Sequence, residues 1–370
     1  MRVRSAGELC SLGGPRIFDP ARSARLLFNS RVSVAAKSSA DRDLLLALDD
    51  ARWFATCSGR DSEWTLFRRR GETLSLRENG LPSGEITLDT GLVPQMPAET
   101  MAAVLPLVVH PGADHLLIVG LGGTGAVQAS LEFAVQTVTC LEPDADLLRL
   151  MRRHVGEAFR RCESDPRLVL QSVSTVLASA ARHPRPYDVI VLNERMLAGP
   201  RAIGSTHADI YRRWRDRLAP EGLLCVRLEV ADYGPEPLRD LSYTLAAIFP
   251  QVAIWESAPG ELLLLVGRGS TPLINEGLIA RMNTPQVRRL LGRLAWDWSL
   301  PLSLVAVQGE GIETLTTGGR LLTAADARFE SRLHREIMRW GPKQAELSGV
   351  ISGVARTPLS MFPDSPARGD

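Results

Sequence analysis

Residues 114–144, DHLLIVGLGGTGAVQASLEFAVQTVTCLEPD, hold the candidates for ligand chemistry. Gly120-Leu121-Gly122-Gly123-Thr124-Gly125 is a G-x-G-x-x-G turn. In such a turn the first glycine permits a tight bend and the second lets a ligand approach the backbone. The third lets the following helix pack on its strand. Glu142 follows about twenty residues on, where a carboxylate can accept two ribose hydroxyls. The run 115–119 reads as a strand buried on both faces, 126–133 as a helix and 135–141 as a second strand. Strand, turn, helix, strand and acid in one unit point to an adenosine-type ligand. The competing reading is a glycine-rich turn that holds nothing, with Glu142 a solvated strand-end acid.

Other chemistries lack support. No H-E-x-x-H, G-x-S-x-G or P-loop signature is present, which argues against metal, serine or NTP hydrolysis. The five cysteines are odd in number and show no C-x-x-C spacing, so neither a zinc site nor a disulfide framework follows. A net charge of +1 leaves no basic surplus for a phosphate backbone, so no nucleic acid is expected as partner. Lys37 and Lys343 are the only lysines, which fits a high-GC coding bias. The longest apolar region, 101–120, is interrupted by Pro106, His110, Pro111 and Asp114 and cannot span a bilayer. Residues 1–30 lack the apolar core of a signal peptide, so a cytoplasmic location is expected.

The elements that must position the turn follow from periodicity. Residues 1–39 read as a loosely ordered leader, and 40–50 as one short helix at the head of a small β domain, 40–94. Three short strands, 51–57, 63–68 and 73–78, are separated by turn signals at 59–61, 71 and 79–80. A helix over 97–109, with Pro97 in its first turn, delivers the chain to the first parallel strand. Helices and strands then alternate: helix 145–160, strand 168–172, helix 174–182, strand 187–192, helix 208–218, strand 223–229 and helix 238–249. A hairpin, 252–256 and 261–267, closes the series. The fold class is therefore α/β, a Rossmann-like methyltransferase-type sheet over 95–270. A helical C-terminal extension, 271–340, and a disordered tail, 341–370, are expected beyond it. Asp144 reads as a helix N-cap, Asp188 and His110 as structural, Trp296 and Trp298 as packing residues, while His207 could reach the cleft.

This order resembles the spermidine synthase (polyamine aminopropyltransferase) family. The resemblance is carried by the β domain, His110-Pro111, the glycine turn, Glu142, Asp165-Pro166-Arg167, Tyr187-Asp188-Val189-Ile190-Val191, the helix bearing Tyr211, and Leu218-Ala219-Pro220-Glu221-Gly222-Leu223-Leu224. It is strongest with the divergent spermidine-synthase-like domains often fused to membrane transporter segments. It covers 51–267 and extends toward 315–329. The resemblance implies S-adenosylmethionine or its decarboxylated form as ligand, a polyamine as second substrate, no metal, and a homodimer. It assigns the nucleoside to Gly120, Gly122, Gly123, Gly125, Glu142, Ser174 and Thr175.

Several positions depart from the family pattern. Gly123 stands where the family's turn carries an aspartate, and Val173-Ser174-Thr175 where an Asp-Gly pair lies beside the adenine. A hydroxyl there can still bond the adenine amine, without charge. Asn193 occupies the position of the family's base, and Met196 that of its second acid. Arg195 would repel a polyamine, while Glu194 could stand in as base or be a solvated loop charge. The family's Tyr-His-Glu element is absent, and the helix in its place offers Glu99. Three functions stay open: an aminopropyltransferase with a degenerate site, a non-catalytic adenosyl-binding or scaffold protein, and an S-adenosylmethionine-dependent methyltransferase.

Overall fold

Pro and Gly punctuate the first strands, and the computed structural model resolves one strand more than they suggest. It describes residues 52–354, apart from 60–61, 69–72, 79–80, 89–96, 174, 194–205, 230–232, 259–260, 325–331 and 333–339. β1 (Arg52–Ser58), β2 (Glu63–Arg68), β3 (Thr73–Glu78) and β4 (Leu81–Thr87) form an antiparallel sheet in that order. β4 is LPSGEIT, whose proline and glycine mask it in the sequence; both are tolerated because β4 is an edge strand.

α1 (Pro97–Val109) has the bounds the sequence predicts. It is buried almost all the way round, because it packs on the large sheet and is covered by the helices Gly125–Leu131 and Glu276–Met282. Met101, Val104, Leu105 and Val108 each contribute about 1.5–3 kcal/mol of burial there.

The parallel series runs β5 (His115–Val119), α2 (Gly125–Leu131), β6 (Thr137–Glu142), α3 (Ala145–His154), α4 (Glu157–Glu163), β7 (Leu168–Ser172), α5 (Val176–Ala181), β8 (Tyr187–Leu192), α6 (Ala208–Arg217) and β9 (Leu218–Glu229). After α7 (Pro235–Ala246), β10 (Gln251–Ala258) and β11 (Glu261–Gly267) form the expected antiparallel hairpin. The large sheet has the order β12-β10-β11-β9-β8-β5-β6-β7, parallel from β9 to β7 and antiparallel elsewhere. Leu116 and Ile118 of β5 enter the core beneath α1, while Leu117 and Val119 enter the core on the other face. That two-sided burial is why the strand reads as a continuous apolar run. Successive strands lie on opposite sides of β5, so the order switches between β5 and β8. A doubly wound sheet offers a ligand crevice at the C-terminal ends of such a pair.

Beyond residue 270 come α8 (Glu276–Met282), α9 (Pro285–Arg293), α10 (Leu300–Ser303) and α11 (Glu310–Thr316). The extension is not purely helical: β12 (Val305–Gln308) pairs with β10 and adds an edge to the sheet. The tail departs from expectation too. α12 (Trp340–Val354) is a helix in which Leu347 and Ile351 are buried, so residues 341–354 are ordered by an apolar contact that the surrounding glycines hide. The expected leader and first helix, most of 324–340 at the end of the expected helical extension, and the rest of the tail lie outside the described residues.

Candidate functional site

The glycine turn leaves β5 at a backbone conformation few residues can adopt. Gly120 has φ 87° and Gly122 φ 55°, the left-handed region that only glycine enters without strain. Glu142, at the end of β6, is the turn's tie. Its Oε2 accepts the Leu121 amide at 2.8 Å and its Oε1 accepts the Asp144 amide at 2.8 Å. Asp144 caps α3 as expected, accepting the Asp146 amide at 2.9 Å. Its other oxygen accepts the indole N–H of Trp64, from β2, at 2.8 Å.

At the switch point three polar side chains meet in the interior. Asn193 follows β8 directly; its backbone N–H donates to Val119 at 2.9 Å and its Nδ2 to the Gly120 carbonyl at 3.2 Å. Arg227, near the C-terminal end of β9, brings Nη1 to 3.4 Å from Asn193 Oδ1 and 3.3 Å from the Ser83 carbonyl. Its Nη2 lies 3.7 Å from the Glu261 carboxylate of β11. Glu99, in the first turn of α1, accepts the Gly125 amide at 3.1 Å and is also hydrogen-bonded by the Gly123 amide and the Asn193 side chain. Burial pushes the Glu99 carboxyl up to about 7, against the Arg227 charge and these hydrogen bonds, which pull it down.

The small sheet lies on top of this cluster. A Cβ on Gly84 of β4 would fall 2.8 Å from Gly123 Cα and 2.9 Å from Glu99 Oε2. A Cβ on Gly123 would fall 2.6 Å from the Glu85 nitrogen and 2.8 Å from its carbonyl carbon. Gly123 thus lets a strand of the same chain come into contact with the turn beside Gly122. Glu99, Glu142, Asp144, Asn193 and Arg227 are all buried, at 2–4% exposure. Among the described residues no group of His, Cys, Asp and Glu is placed to hold a metal ion, and no helix is long and apolar enough to cross a membrane.

No family model matches the chain. The polyamine aminopropyltransferase of Caldicellulosiruptor saccharolyticus is 21% identical over 164 residues, covering 44% of this chain and 58% of that protein. That of Bacillus subtilis is 24% identical over 151 residues, covering 40% of this chain and 54% of its own length. The matches therefore span little more than half of these relatives. A spermidine synthase solved in complex with the transition-state analogue AdoDATO superposes with a TM-score of 0.57 at 14% identity, over 72% of this chain and 88% of that one. The spermidine synthase of Thermotoga maritima gives 0.55 at 14% identity, over 72% and 87%. The chain is thus similar to polyamine aminopropyltransferases in sequence and to spermidine synthases in fold. At such identity the structural likeness speaks for the fold, a methyltransferase-like sheet behind a small antiparallel sheet.

Of the residues the family resemblance singles out, Gly120, Gly122, Gly123, Gly125, Glu142 and Asn193 come together at the C-terminal edge of β5, β6 and β8. Thr175 lies on the same edge, beyond β7, exposed and without a side-chain capping bond. Ser174 and Glu194 lie outside the described residues. Asp188 is structural, its Oδ2 accepting the Asp114 and His115 amides at 2.8 and 2.9 Å. His207 stands at the N-cap of α6, buried, with no capping bond from its side chain.

Sequence reasoning passed over Arg227, Trp64 and Gly84, and gave Glu99 no role. Two of them carried a signal. Glu99 is the one charged residue of α1, and Arg227 is a lone cation in an apolar strand. Charges in such places are buried only when partnered.

Proposed function

We propose that this spermidine-synthase-like chain belongs to the aminopropyltransferase lineage, retains a seat for an S-adenosylmethionine-derived nucleoside, and has lost aminopropyl transfer. The observation that carries the proposal is Asn193. Transfer requires a base that takes a proton from the attacking amine, so that its lone pair can displace methylthioadenosine from the aminopropyl carbon. A carboxamide is not basic at physiological pH, and this one is engaged with Gly120, Glu99 and Arg227. A cationic amine entering there would also face the Arg227 guanidinium. The nucleoside part of the proposal is supported by Gly120, Gly122 and Glu142, which keep the positions of the family's cradle. Either the decarboxylated or the carboxylated sulfonium could be the ligand. A homodimer, a cytoplasmic location and no nucleic-acid partner accompany the lineage in this proposal.

A second reading is favoured by one observation: Glu99 is held near neutral pKa beside Asn193, where it could serve as a relocated base. Release of methylthioadenosine from decarboxylated S-adenosylmethionine and putrescine separates the two. No release above background is expected. Release that rises with pH through about 7 and disappears in Glu99→Gln would establish the second reading. Transfer of a labelled methyl group to an acceptor in cell extract would instead favour the methyltransferase alternative.

A further inference from the structure

We infer that β4 is a plug seated in the nucleoside site, and that a nucleoside binds only when the small sheet lifts off the glycine turn. The inference rests on the nucleoside-binding proposal above and names how that site is controlled. Its basis is that the polar groups a nucleoside would use are already engaged within the chain. The Gly123 and Gly125 amides go to Glu99. The two oxygens of Glu142 hold the Leu121 and Asp144 amides. Beside Glu142, the helix cap Asp144 ties the small sheet down by accepting the Trp64 indole N–H.

Shape points the same way as hydrogen bonding. Gly84 and Glu85 of β4 rest on the backbone of Gly123, one residue past the glycine at which a ligand would approach the turn. Gly59, after β1, lies against the side-chain carboxylate of Asp144, so both edge strands of the small sheet bear on this end of the large one. Arg227 closes it from below by donating to the Ser83 carbonyl. Two glycines facing each other, one on each side of the joint, are what a backbone-to-backbone seal requires. Any side chain at either position would hold the strand away.

A plug of this kind lowers apparent affinity by the fraction of molecules that are open. Weakening it by tenfold in the closing equilibrium should therefore tighten binding by about tenfold. Two substitutions weaken it without touching the cradle. Trp64→Phe removes the indole N–H that binds Asp144 and keeps most of the ring. Gly84→Ala adds a methyl for which there is no room against Gly123 and Glu99.

The test is calorimetric titration of the full chain and both variants with methylthioadenosine, together with hydrogen exchange of residues 81–87. Thermal unfolding confirms that each variant folds, and Trp64→Phe keeps the test in force if Gly84→Ala does not. The expected result is binding about tenfold tighter in the variants, with faster exchange of the β4 amides on saturation. Binding to the variants alone would support the same conclusion. Equal affinity in all three proteins, with β4 amides unchanged or protected by the ligand, overturns the plug and leaves the nucleoside site standing. No binding to any of the three overturns the plug and the nucleoside site together.

Discussion

Gly84 and Gly123 meet backbone to backbone, one from the small sheet and one from the turn that ends the first parallel strand. A Cβ on Gly84 would lie 2.8 Å from Gly123 Cα. In a doubly wound sheet that turn ordinarily faces a ligand; here it faces the chain itself. The contact is a joint between two sheets, and it makes the conformation of the turn a matter of stability.

Gly122→Ala should therefore be costly. The residue sits at φ 55°, and its Cβ would fall 2.6 Å from Glu99 Oε1 and 2.8 Å from Asn193 Nδ2. Backbone strain and overpacking add, so a loss of roughly 2–4 kcal/mol is expected in urea unfolding. Gly112, beside which a Cβ would meet nothing, is the control: Gly112→Ala should change stability by less than about 1 kcal/mol.

Glu99 should make stability fall with pH. Its carboxyl is raised from 4.5 to about 7 in the folded chain, so the native state holds the proton more tightly than the unfolded one. The stabilisation is fully present below pH 4.5 and is lost as pH rises through about 7. The expected swing is on the order of 3 kcal/mol at most. Glu99→Gln, measured by urea unfolding at pH 5 and pH 8, should flatten it and should be the more stable protein at pH 8.

Arg227→Met should be strongly destabilising, by roughly 3–5 kcal/mol, because it leaves the buried Glu99 and the partly buried Glu261 without the guanidinium. It should also move the pH dependence. The Arg227 charge lowers the Glu99 carboxyl, so its removal shifts the midpoint of the stability fall above 7. A midpoint unchanged in the variant would mean that the two groups are not electrostatically linked.

The sequence disclosed what depends on local pattern. The α1 bounds, the apolar strands β5 and β8, and the hairpin β10–β11 all follow from runs and turns of a few residues. Asp144 as an N-cap is legible for the same reason. β4 was not, because Pro82 and Gly84 break the alternation that marks a strand; the same glycine is what lets it seat on the turn. β12 is four residues long, and α12 contains Gly341, Gly349 and Gly353 with a weak apolar stripe. The core of the site was the least legible part. Glu99, Asn193 and Arg227 come from α1, the end of β8 and the C-terminal part of β9, and only the fold brings them together. The family resemblance pointed to Asn193 as a lost base but could not show a buried carboxylate beside it.

The most direct test of the central claim is aminopropyl transfer itself. Purified protein, at concentrations high enough to detect a single turnover, is incubated with decarboxylated S-adenosylmethionine and putrescine from pH 6 to pH 9, and methylthioadenosine is quantified. With Asn193 at the base position and β4 on the turn, no product above the enzyme-free control is predicted at any pH. Product that accumulates over many turnovers, and is lost in Glu99→Gln, would contradict the claim and place the base on α1.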